Sequence, residues 1–264
     1  MEQYDRRPAR QVTVPLVRRD SIGASHHVLT FEYDTPLEAQ AGQFVMVRGT
    51  NWGQSPFLPR PMSLLHGGKR PSILVKVVGE GTRRLANAER GDLFSVLAPL
   101  GRPWSPCSSH RVPILVAGGV GVCPLLFLAR TLKQQGIRPV ALYGGRSSGD
   151  LVLYEELQAE SDLRLATEDG SAGVKGKVTA LLDEALMEAD GRATVYTCGP
   201  RAMMASVVAA ARKANVPCEV SLETVMACGY GVCLGCAVPR FDGGYVYACS
   251  EGACIDGRVI DWKK

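Results

Sequence analysis

Several features of membrane, secreted and nucleic-acid-binding proteins are missing from this chain. No apolar run reaches the ~18 residues that a transmembrane helix requires, so no membrane span is expected. The opening stretch MEQYDRRPARQ lacks the apolar segment of a secretory signal, which indicates a cytoplasmic protein. The arginine pairs at 6–7, 18–19 and 83–84 are not interleaved with aromatic residues, so a nucleic-acid surface is not expected.

An organised acid–base constellation for a small organic substrate is also missing. General acid–base catalysis needs groups within hydrogen-bond reach of one substrate. The sequence therefore predicts that any organic substrate is oxidised on another chain. The four histidines are scattered and are interpreted as surface residues rather than catalysts: His26, His27, His66 and His110.

Cysteine, in contrast, is concentrated near the C-terminus. Nine cysteines occur in 264 residues, and five of them follow residue 227. Without a secretory signal, such cysteines favour metal or redox chemistry over a disulfide framework. A chain of this length predicts two domains of ~100–200 residues each, with a small appendage.

Residues 10–103 predict a small antiparallel β-barrel. Strand-like runs rich in Val, Phe and Thr alternate with turns that contain Gly and Pro. These runs are QVTVPLVRR, HHVLTFEY, GQFVMVRG, PMSLL, SILVKVVG and DLFSVLAPL. Between the last two, TRRLANAERG predicts one short helix that ends at Gly91.

Strands and helices alternate from residue 111 to residue 223, after a stretch WSPCSSH that has the composition of a linker. This alternation predicts a doubly wound parallel sheet. The C-terminal residues show little helical pattern and are rich in Cys and Gly. The sequence thus predicts an α+β and α/β multidomain chain with units at 1–105, 106–220 and 221–264.

Three glycine-bearing loops follow strands of the predicted parallel sheet, where such sheets bind ligands. In VAGGVGVCPLL, glycines precede a helix whose N-terminus can approach a phosphate; a tight structural turn would explain one glycine more easily than three. YGGR and CGPRAMM follow two further strands, and Cys198 is interpreted as a nicotinamide contact in preference to an inert buried thiol. The predicted nucleotide contacts are Gly118, Gly119, Gly121, Pro124, Gly144, Arg146, Cys198, Gly199 and Pro200.

Two motifs of the predicted barrel favour a pyrophosphate site. RPMSLL carries Arg60 and Ser63 on one strand, and GEGTRRL carries Gly81 and Thr82 before the short helix. An arginine, a glycine turn and a helix N-terminus together suit a pyrophosphate. Arg60 alone would be interpreted as one half of a surface ion pair.

These motifs, followed in order by AGGVGVCP, YGGR and CGP, resemble the ferredoxin-NADP reductase superfamily over residues 10–220. The resemblance implies that Arg60 pairs with the pyrophosphate of FAD and that Ser63 approaches the flavin N5 atom. It also implies that the second domain binds NAD(P). The further FAD contacts that it implies are Pro61, Met62, Leu74, Val75, Lys76, Gly81 and Thr82.

Four cysteines follow the spacing C-x4-C-x2-C-x12-C, namely Cys228, Cys233, Cys236 and Cys249. The first two gaps match plant-type [2Fe–2S] loops, in which thiolates hold two irons. Zinc prefers paired C-x2-C knuckles and only one occurs here, so zinc ranks second and an inert core third. Cys254 is a rival fourth ligand. The cysteines without a partner at ligand spacing are interpreted as packing residues: Cys107, Cys123 and Cys218.

The segments SLETVMACGYGVCLGCAVP, GGYVYACSEGACIDGRVIDW and EDGSAGVKGKVT are similar to the electron-transfer subunits of class 1B, NAD-dependent dihydroorotate dehydrogenases. In that family pattern the first cysteine of YACSEGAC is the ligand, which implies Cys249 and leaves Cys254 as an apolar filler. The resemblance also implies an FMN-containing, dihydroorotate-oxidising partner chain in a heterotetramer. NAD is preferred over NADP on the same ground, although Arg146 could approach a 2′-phosphate.

The order of the expected cofactors gives the predicted function a chemical reason. Nicotinamide exchanges a hydride, an iron–sulfur cluster exchanges single electrons, and flavin does both. The resemblance implies that electrons from the partner's FMN pass through the [2Fe–2S] cluster and FAD to NAD⁺, in de novo pyrimidine (UMP) biosynthesis. Glu223, just before the cysteine loop, and Cys198 are candidates for a role in the chemistry. Two alternatives remain open: a redox subunit of a hydrogenase or ferredoxin oxidoreductase, and a zinc-stabilised nucleotide sensor.

Overall fold

The N-terminal part of the chain forms the predicted barrel. A computed structural model describes residues 8–263, so the arginine pair at 6–7 lies outside the described residues. The barrel strands are β1 (Arg10–Ser21), β2 (His26–Phe31), β3 (Phe44–Gly49), β4 (Arg60–His66), β5 (Ser72–Lys76) and β6 (Leu93–Leu100). They close in the order β1-β2-β5-β4-β3-β6, and every pairing is antiparallel.

The interior of the barrel is filled by the apolar side chains that alternate along the strands. Leu16, Leu29 and Ile73 are completely buried, and the rings of Phe31 and Phe94 meet edge to face with their centroids 5.4 Å apart. Each such side chain contributes about 1.5–3 kcal/mol when it leaves water. The interior of the barrel is therefore a packed core, and any ligand would bind on its outside.

The helix between β5 and β6 begins earlier and is shorter than the sequence predicted. Helix α1 spans Glu80–Ala86 and not 82–91. The hydroxyl of Thr82 accepts hydrogen bonds from the backbone N–H groups of Val78 (2.9 Å) and Gly79 (3.1 Å), which fixes the turn before the helix. Gly91 has a φ of +98° and belongs to the turn into β6, where glycine is favoured.

The second half of the chain forms the predicted parallel sheet. Its strands are β7 (Val112–Gly118), β8 (Val140–Gly145), β9 (Asp162–Thr167), β10 (Val174–Lys175), β11 (Ala193–Cys198) and β12 (Cys218–Ser221). Its helices are α2 (Val122–Gln134), α3 (Tyr154–Glu160), α4 (Thr179–Glu188) and α5 (Arg201–Lys213). The two-residue strand β10 was not predicted.

Helices cover both faces of this sheet, which confirms the doubly wound arrangement. Leu126 and Leu157, from α2 and α3, are buried on one face. Leu182 and Val207, from α4 and α5, are buried on the other. Among residues 8–263, no helix combines the length and the apolar character that crossing a bilayer requires.

The C-terminal residues carry a hairpin of their own and add one strand to the parallel sheet. Strands β13 (Ala237–Pro239) and β14 (Tyr245–Tyr247) make a hairpin, and β15 (Cys254–Asp256) pairs antiparallel with β12. The full order is β10-β9-β8-β7-β11-β12-β15. The cysteine loop between β12 and β13 is thus anchored to the parallel sheet.

The same loop packs against the barrel. Gly229 has a φ of +79°, and a Cβ placed on it would lie 2.4 Å from Cγ of Met46 on β3. Phe44, also on β3, belongs to one buried cluster with Cys236 and Cys249. Because β3 pairs with β4, the cysteine loop contacts the strand beside the one that carries the expected flavin motif.

The linker stretch WSPCSSH is anchored by its first residue, whereas most of the residues after it are exposed. Trp104 is buried, and its ring meets that of Tyr196 edge to face at 5.6 Å between centroids. Its indole N–H donates to the carbonyl of Pro124 at 3.4 Å. The large apolar ring of Trp104 is buried although its neighbours are polar, and it packs the end of the barrel against β11.

Candidate functional site

Arg60 and Gly81 meet on the outer surface of the barrel, as the two barrel motifs require. Arg60 opens β4, and its Nη1 donates to the carbonyl oxygen of Leu58 at 2.8 Å. A Cβ on Gly81 would lie 2.1 Å from Nε of Arg60. The guanidinium therefore lies directly over the first turn of α1, which only a glycine permits. A cation over free backbone N–H groups fits the pyrophosphate of FAD.

The remaining FAD candidates differ in what their side chains can reach. Pro61, Met62 and Ser63 are half-buried on β4. Val75 is buried in the barrel core and Leu74 is buried against the parallel-sheet domain, so only their backbone can face a cofactor. Lys76 ends β5 and points the other way, into the cleft beside the parallel sheet, where its Nζ lies 3.6 Å from Asp150.

A cleft of about 410 Å³ lies at the carboxyl ends of the parallel strands. Such an edge is where open α/β sheets bind nucleotides. Five of the predicted nucleotide contacts line the cleft: Gly118, Gly119, Gly144, Arg146 and Pro200. The other four do not line the cleft: Gly121, Pro124, Cys198 and Gly199. Glycines at the strand ends leave the cleft open to a phosphate.

Gly121 shapes the cleft from behind. A Cβ on it would lie 2.1 Å from the backbone oxygen of Cys198 and 2.4 Å from the carbonyl carbon. This close approach holds the ends of β7 and β11 together.

Gly121→Ala is therefore expected to lower the free energy of unfolding by about 1–3 kcal/mol, because backbone atoms cannot rotate away from the new methyl group. Thermal unfolding with and without ADP-ribose measures the effect. Gly149→Ala is the matched control, since its Cβ would meet nothing closer than Ser147 Oγ at 3.7 Å. A stable Gly121→Ala protein with normal nucleotide affinity would contradict the close approach.

Several cleft residues were not predicted as nucleotide contacts. They come from the turn after β8, from the β9–α4 connection and from α5: Asp150, Glu168, Lys177, Val178, Thr179, Met203 and Ser206. The available signal was the Gly-rich segment EDGSAGVKGKVT, which follows a third parallel strand just as YGGR follows the second. The strand order β9-β8-β7 brings this loop to the same edge.

Ser63, Cys123, Cys198 and Glu223 lie between the barrel and the cleft. The thiol of Cys123 donates to the carbonyl oxygen of Ser63 at 3.3 Å, and burial raises the pKa of Cys123 to about 12. Burial, and then the charge of Glu223, raises the pKa of Cys198 well above its usual value, so both thiols stay neutral. Part of the Glu223 side chain is exposed to solvent, yet desolvation by the neighbouring protein atoms raises the pKa of its carboxyl group. Cys123, expected only to pack, thus also joins the two domains.

The histidine prediction is wrong for His26. Its side chain is 3% exposed at the start of β2, beside the end of β5 and the segment around Val152, and its Nε2 atom has no hydrogen-bond partner among residues 8–263. Burial, and then the charge of Lys76, lowers the pKa of His26. The imidazole is therefore neutral at physiological pH and fills the contact between the barrel and the sheet.

The four candidate cysteine ligands form two pairs. Sγ of Cys236 lies 3.2 Å from Sγ of Cys249, and the backbone N–H of Cys233 donates to Sγ of Cys228 at 3.5 Å. Partial burial of Cys228 opposes ionisation, but hydrogen bonds from the Cys233 and Tyr230 backbone lower its pKa to about 6. Hydrogen bonds to sulfur and a low thiol pKa suit thiolate ligands.

The pairing also bears on which metal fits. Among the described residues, no three His, Cys, Asp or Glu side chains converge as a single metal ion would need. Two pairs of thiolates suit the two irons of a [2Fe–2S] cluster better than one tetrahedral zinc. Cys254 lies apart, because its buried thiol donates to the carbonyl oxygen of Gly42 at 3.5 Å. Its position favours Cys249 as the fourth ligand.

Apolar side chains surround the cysteine loop at the protein surface. Val225 is 80% exposed and Val232 is 71% exposed, and Tyr230 and Leu234 are more than half exposed. Cys233 is itself exposed between them. Exposed apolar residues that cluster in this way mark contact surfaces for other proteins.

Two stretches of the chain match described protein families. Residues 115–209 match the oxidoreductase NAD-binding domain, which includes the strands and helices around the cleft. Residues 223–261 match the iron–sulfur cluster binding domain of dihydroorotate dehydrogenase B, which includes all four candidate ligands.

Curated relatives match nearly the whole chain. The electron transfer subunit of dihydroorotate dehydrogenase B (NAD(+)) from Caldanaerobacter subterraneus subsp. tengcongensis is 37% identical over 241 residues, which are 90% of this chain and 92% of that protein. The protein of the same name from Geobacillus kaustophilus is 36% identical over 229 residues, which are 84% of this chain and 87% of that protein.

Solved structures show the same architecture. An NADH-dependent reduced ferredoxin-NADP oxidoreductase, described for flavin-based electron bifurcation, superposes with a TM-score of 0.84 at 30% identity and covers 95% of this chain and 90% of its own. The ferredoxin reductase of carbazole 1,9a-dioxygenase superposes with a TM-score of 0.70 at 20% identity over 80% of this chain and 67% of its own, which supports the fold alone.

Proposed function

The chain belongs to the family of electron transfer subunits of NAD-dependent dihydroorotate dehydrogenase B, and from this premise we propose that it carries electrons from a dihydroorotate-oxidising partner to NAD⁺ in pyrimidine biosynthesis. It is an oxidoreductase component that takes FAD, NAD and a [2Fe–2S] cluster. One observation carries the proposal: the cysteine loop packs on β3, next to the strand of Arg60 and Ser63, so the expected cluster site adjoins the expected flavin site.

We assign one task to each part of the chain. When bound, nicotinamide exchanges a hydride, flavin exchanges a hydride or single electrons, and the cluster exchanges single electrons. Residues 1–105 would hold FAD through Arg60 and the α1 turn, and residues 106–220 would hold NAD in the cleft. Residues 221–264 would hold the cluster through its two cysteine pairs.

The neutral thiols of Cys123 and Cys198 would keep charge away from the contact between flavin and nicotinamide. They would also exclude water there, because both side chains are buried. The raised pKa of Glu223 makes its carboxyl group a candidate to hold a proton at the same place.

An electron transfer subunit works with a catalytic partner subunit. We propose that this partner contains FMN, contacts the apolar surface around Cys233 and forms a heterotetramer with this chain. The exposed apolar residues support the contact, because single-electron transfer requires the cluster to lie near the partner. Nine cysteines without a disulfide support a reducing compartment, which we propose is the cytoplasm.

Co-purification with a dihydroorotate-oxidising chain tests the proposal. We expect flavin and iron–sulfur absorption, about two irons per chain, and NAD⁺ reduction that depends on dihydroorotate once both subunits are present. A colourless protein that holds zinc would exclude electron transfer altogether. A coloured protein whose reconstituted complex gives no dihydroorotate-dependent NADH would exclude the assignment of the partner.

A second function is supported by the match to the NADH-dependent reduced ferredoxin-NADP oxidoreductase, which covers 95% of this chain. In this alternative the chain would serve the same relay in another redox complex. NADH-dependent reduction of ferredoxin by the purified complex, without a response to dihydroorotate, would favour it.

A further inference from the structure

Five charged side chains line the cleft at the carboxyl ends of the parallel strands. Lys76, Arg146 and Lys177 are cationic, and Asp150 and Glu168 are anionic. Their pairing decides which charges are available to a ligand. This matters because NADP differs from NAD by one phosphate on the 2′-hydroxyl of the adenosine ribose.

Asp150 takes up two of the three cations. Its carboxylate lies 3.6 Å from Nζ of Lys76 and 3.4 Å from Nε of Arg146, and it accepts the backbone N–H of Arg146 at 3.2 Å. Arg146 was the residue that could have received a 2′-phosphate. A phosphate at Arg146 would meet the negative charge of Asp150, which is only 17% exposed and held in place by three contacts.

Glu168 is the unpaired carboxylate of the cleft. It follows β9 directly, and its backbone N–H donates to the carbonyl oxygen of Gly145 at 3.1 Å. This bond fixes Glu168 beside Gly145, the last residue of β8, which directly precedes Arg146 in the sequence. Its side chain has neither an ion pair nor a hydrogen bond to any side chain or backbone group within residues 8–263.

We propose that Glu168 selects NAD over NADP by accepting a hydrogen bond from the free 2′-hydroxyl of the adenosine ribose and repelling a 2′-phosphate. A carboxylate near the ribose diol is the usual device for NAD recognition at the edge of an α/β sheet. Here the carboxylate is that of Glu168, which follows β9, because Arg146 follows β8. Specificity arises as much from the repulsion as from the hydrogen bond.

The proposal rests on the proposed function, because it requires the nucleotide to bind in this cleft. Isothermal titration of the purified flavoprotein with ADP-ribose and with 2′-phospho-ADP-ribose tests it. Both probes lack nicotinamide, so their binding does not depend on redox chemistry. The wild-type protein should prefer ADP-ribose.

Glu168→Gln should shift the ratio of the two dissociation constants toward 2′-phospho-ADP-ribose by about tenfold, because one like charge is removed. Asp150→Asn should shift it in the same direction, because Arg146 is released. Glu184→Gln removes an equal charge from α4 outside the cleft and should leave the ratio unchanged.

An unchanged ratio of the two dissociation constants in Glu168→Gln would overturn the proposal. If both affinities fell equally, Glu168 would be a structural residue, and the proposal would be overturned as well. These results would leave the proposed function standing if wild-type protein binds ADP-ribose. Failure of wild-type protein to bind either probe would instead remove the nucleotide site on which both depend.

Discussion

Replacing Cys236 with serine is expected to abolish electron transfer to the partner subunit while NADH still reduces FAD. The Cys236 side chain is buried and its sulfur lies 3.2 Å from that of Cys249. A serine hydroxyl is a poor ligand for iron that prefers soft thiolates. The rate of electron transfer between the subunits should fall by about 100-fold or more. Mutation of a residue that only hydrogen-bonds to a metal ligand already lowers metal affinity or activity by about ten- to 100-fold.

Stopped-flow bleaching of the flavin band by NADH measures the first step, and dihydroorotate-dependent NADH formation by the complex measures the whole route. Cys254→Ser is the matched control, because a hydroxyl can keep the hydrogen bond to Gly42 and no ligand is lost. Loss of iron from Cys254→Ser would show that the ligand set is wrong. Equal loss of both activities in Cys236→Ser would mean that the loop maintains the flavin site.

Arg60→Ala should lower the affinity for FAD by about 100-fold. The guanidinium lies over the first turn of α1 and would form charge-assisted hydrogen bonds with the pyrophosphate, each of which contributes about 1.5–3 kcal/mol. Gly81→Ala should reproduce much of the loss, because its methyl group would displace Arg60 without changing the charge. Fluorescence titration of the apoprotein with FAD measures both.

Arg70→Ala is the matched control for removal of one barrel arginine. Arg70 forms an exposed ion pair with Glu32 at 3.1 Å, which contributes little to stability. A protein that keeps its FAD affinity after Arg60→Ala would place the pyrophosphate elsewhere. Restoration by Arg60→Lys to the wild-type value would show that charge alone, without the forked geometry of arginine, holds the cofactor.

Much of this architecture could be predicted from the sequence because its strands carry strong patterns. The runs around Leu29 and Ile73 alternate, and each glycine-bearing loop follows a buried strand. Two motifs predicted that Arg60 and Gly81 share one site. The two residues are 21 positions apart in the sequence, and the barrel topology brings them together. Local pattern and motif order therefore fixed the two main domains.

The rest depended on contacts between distant segments. The short strands β10 and β15 have too few residues for a period, and they form because a neighbouring edge is available. His26 is buried only because the barrel meets the sheet there. Glu168 and Lys177 reach the cleft through the order of the strands, which residue spacing along the chain does not reveal.

The pairing of β15 with β12 has a consequence for modularity. A cluster-binding unit joined by a flexible tether could be exchanged between proteins by cutting the tether, but here a strand of that unit lies in the nucleotide-binding sheet. Removing the residues after Ser221 would bare the edge of β12, and exposed strand edges promote aggregation. Chimeric enzymes built from this scaffold should therefore keep the sheet and the cysteine loop together, and any replacement barrel must reproduce the surface of β3 that packs against Cys236 and Cys249.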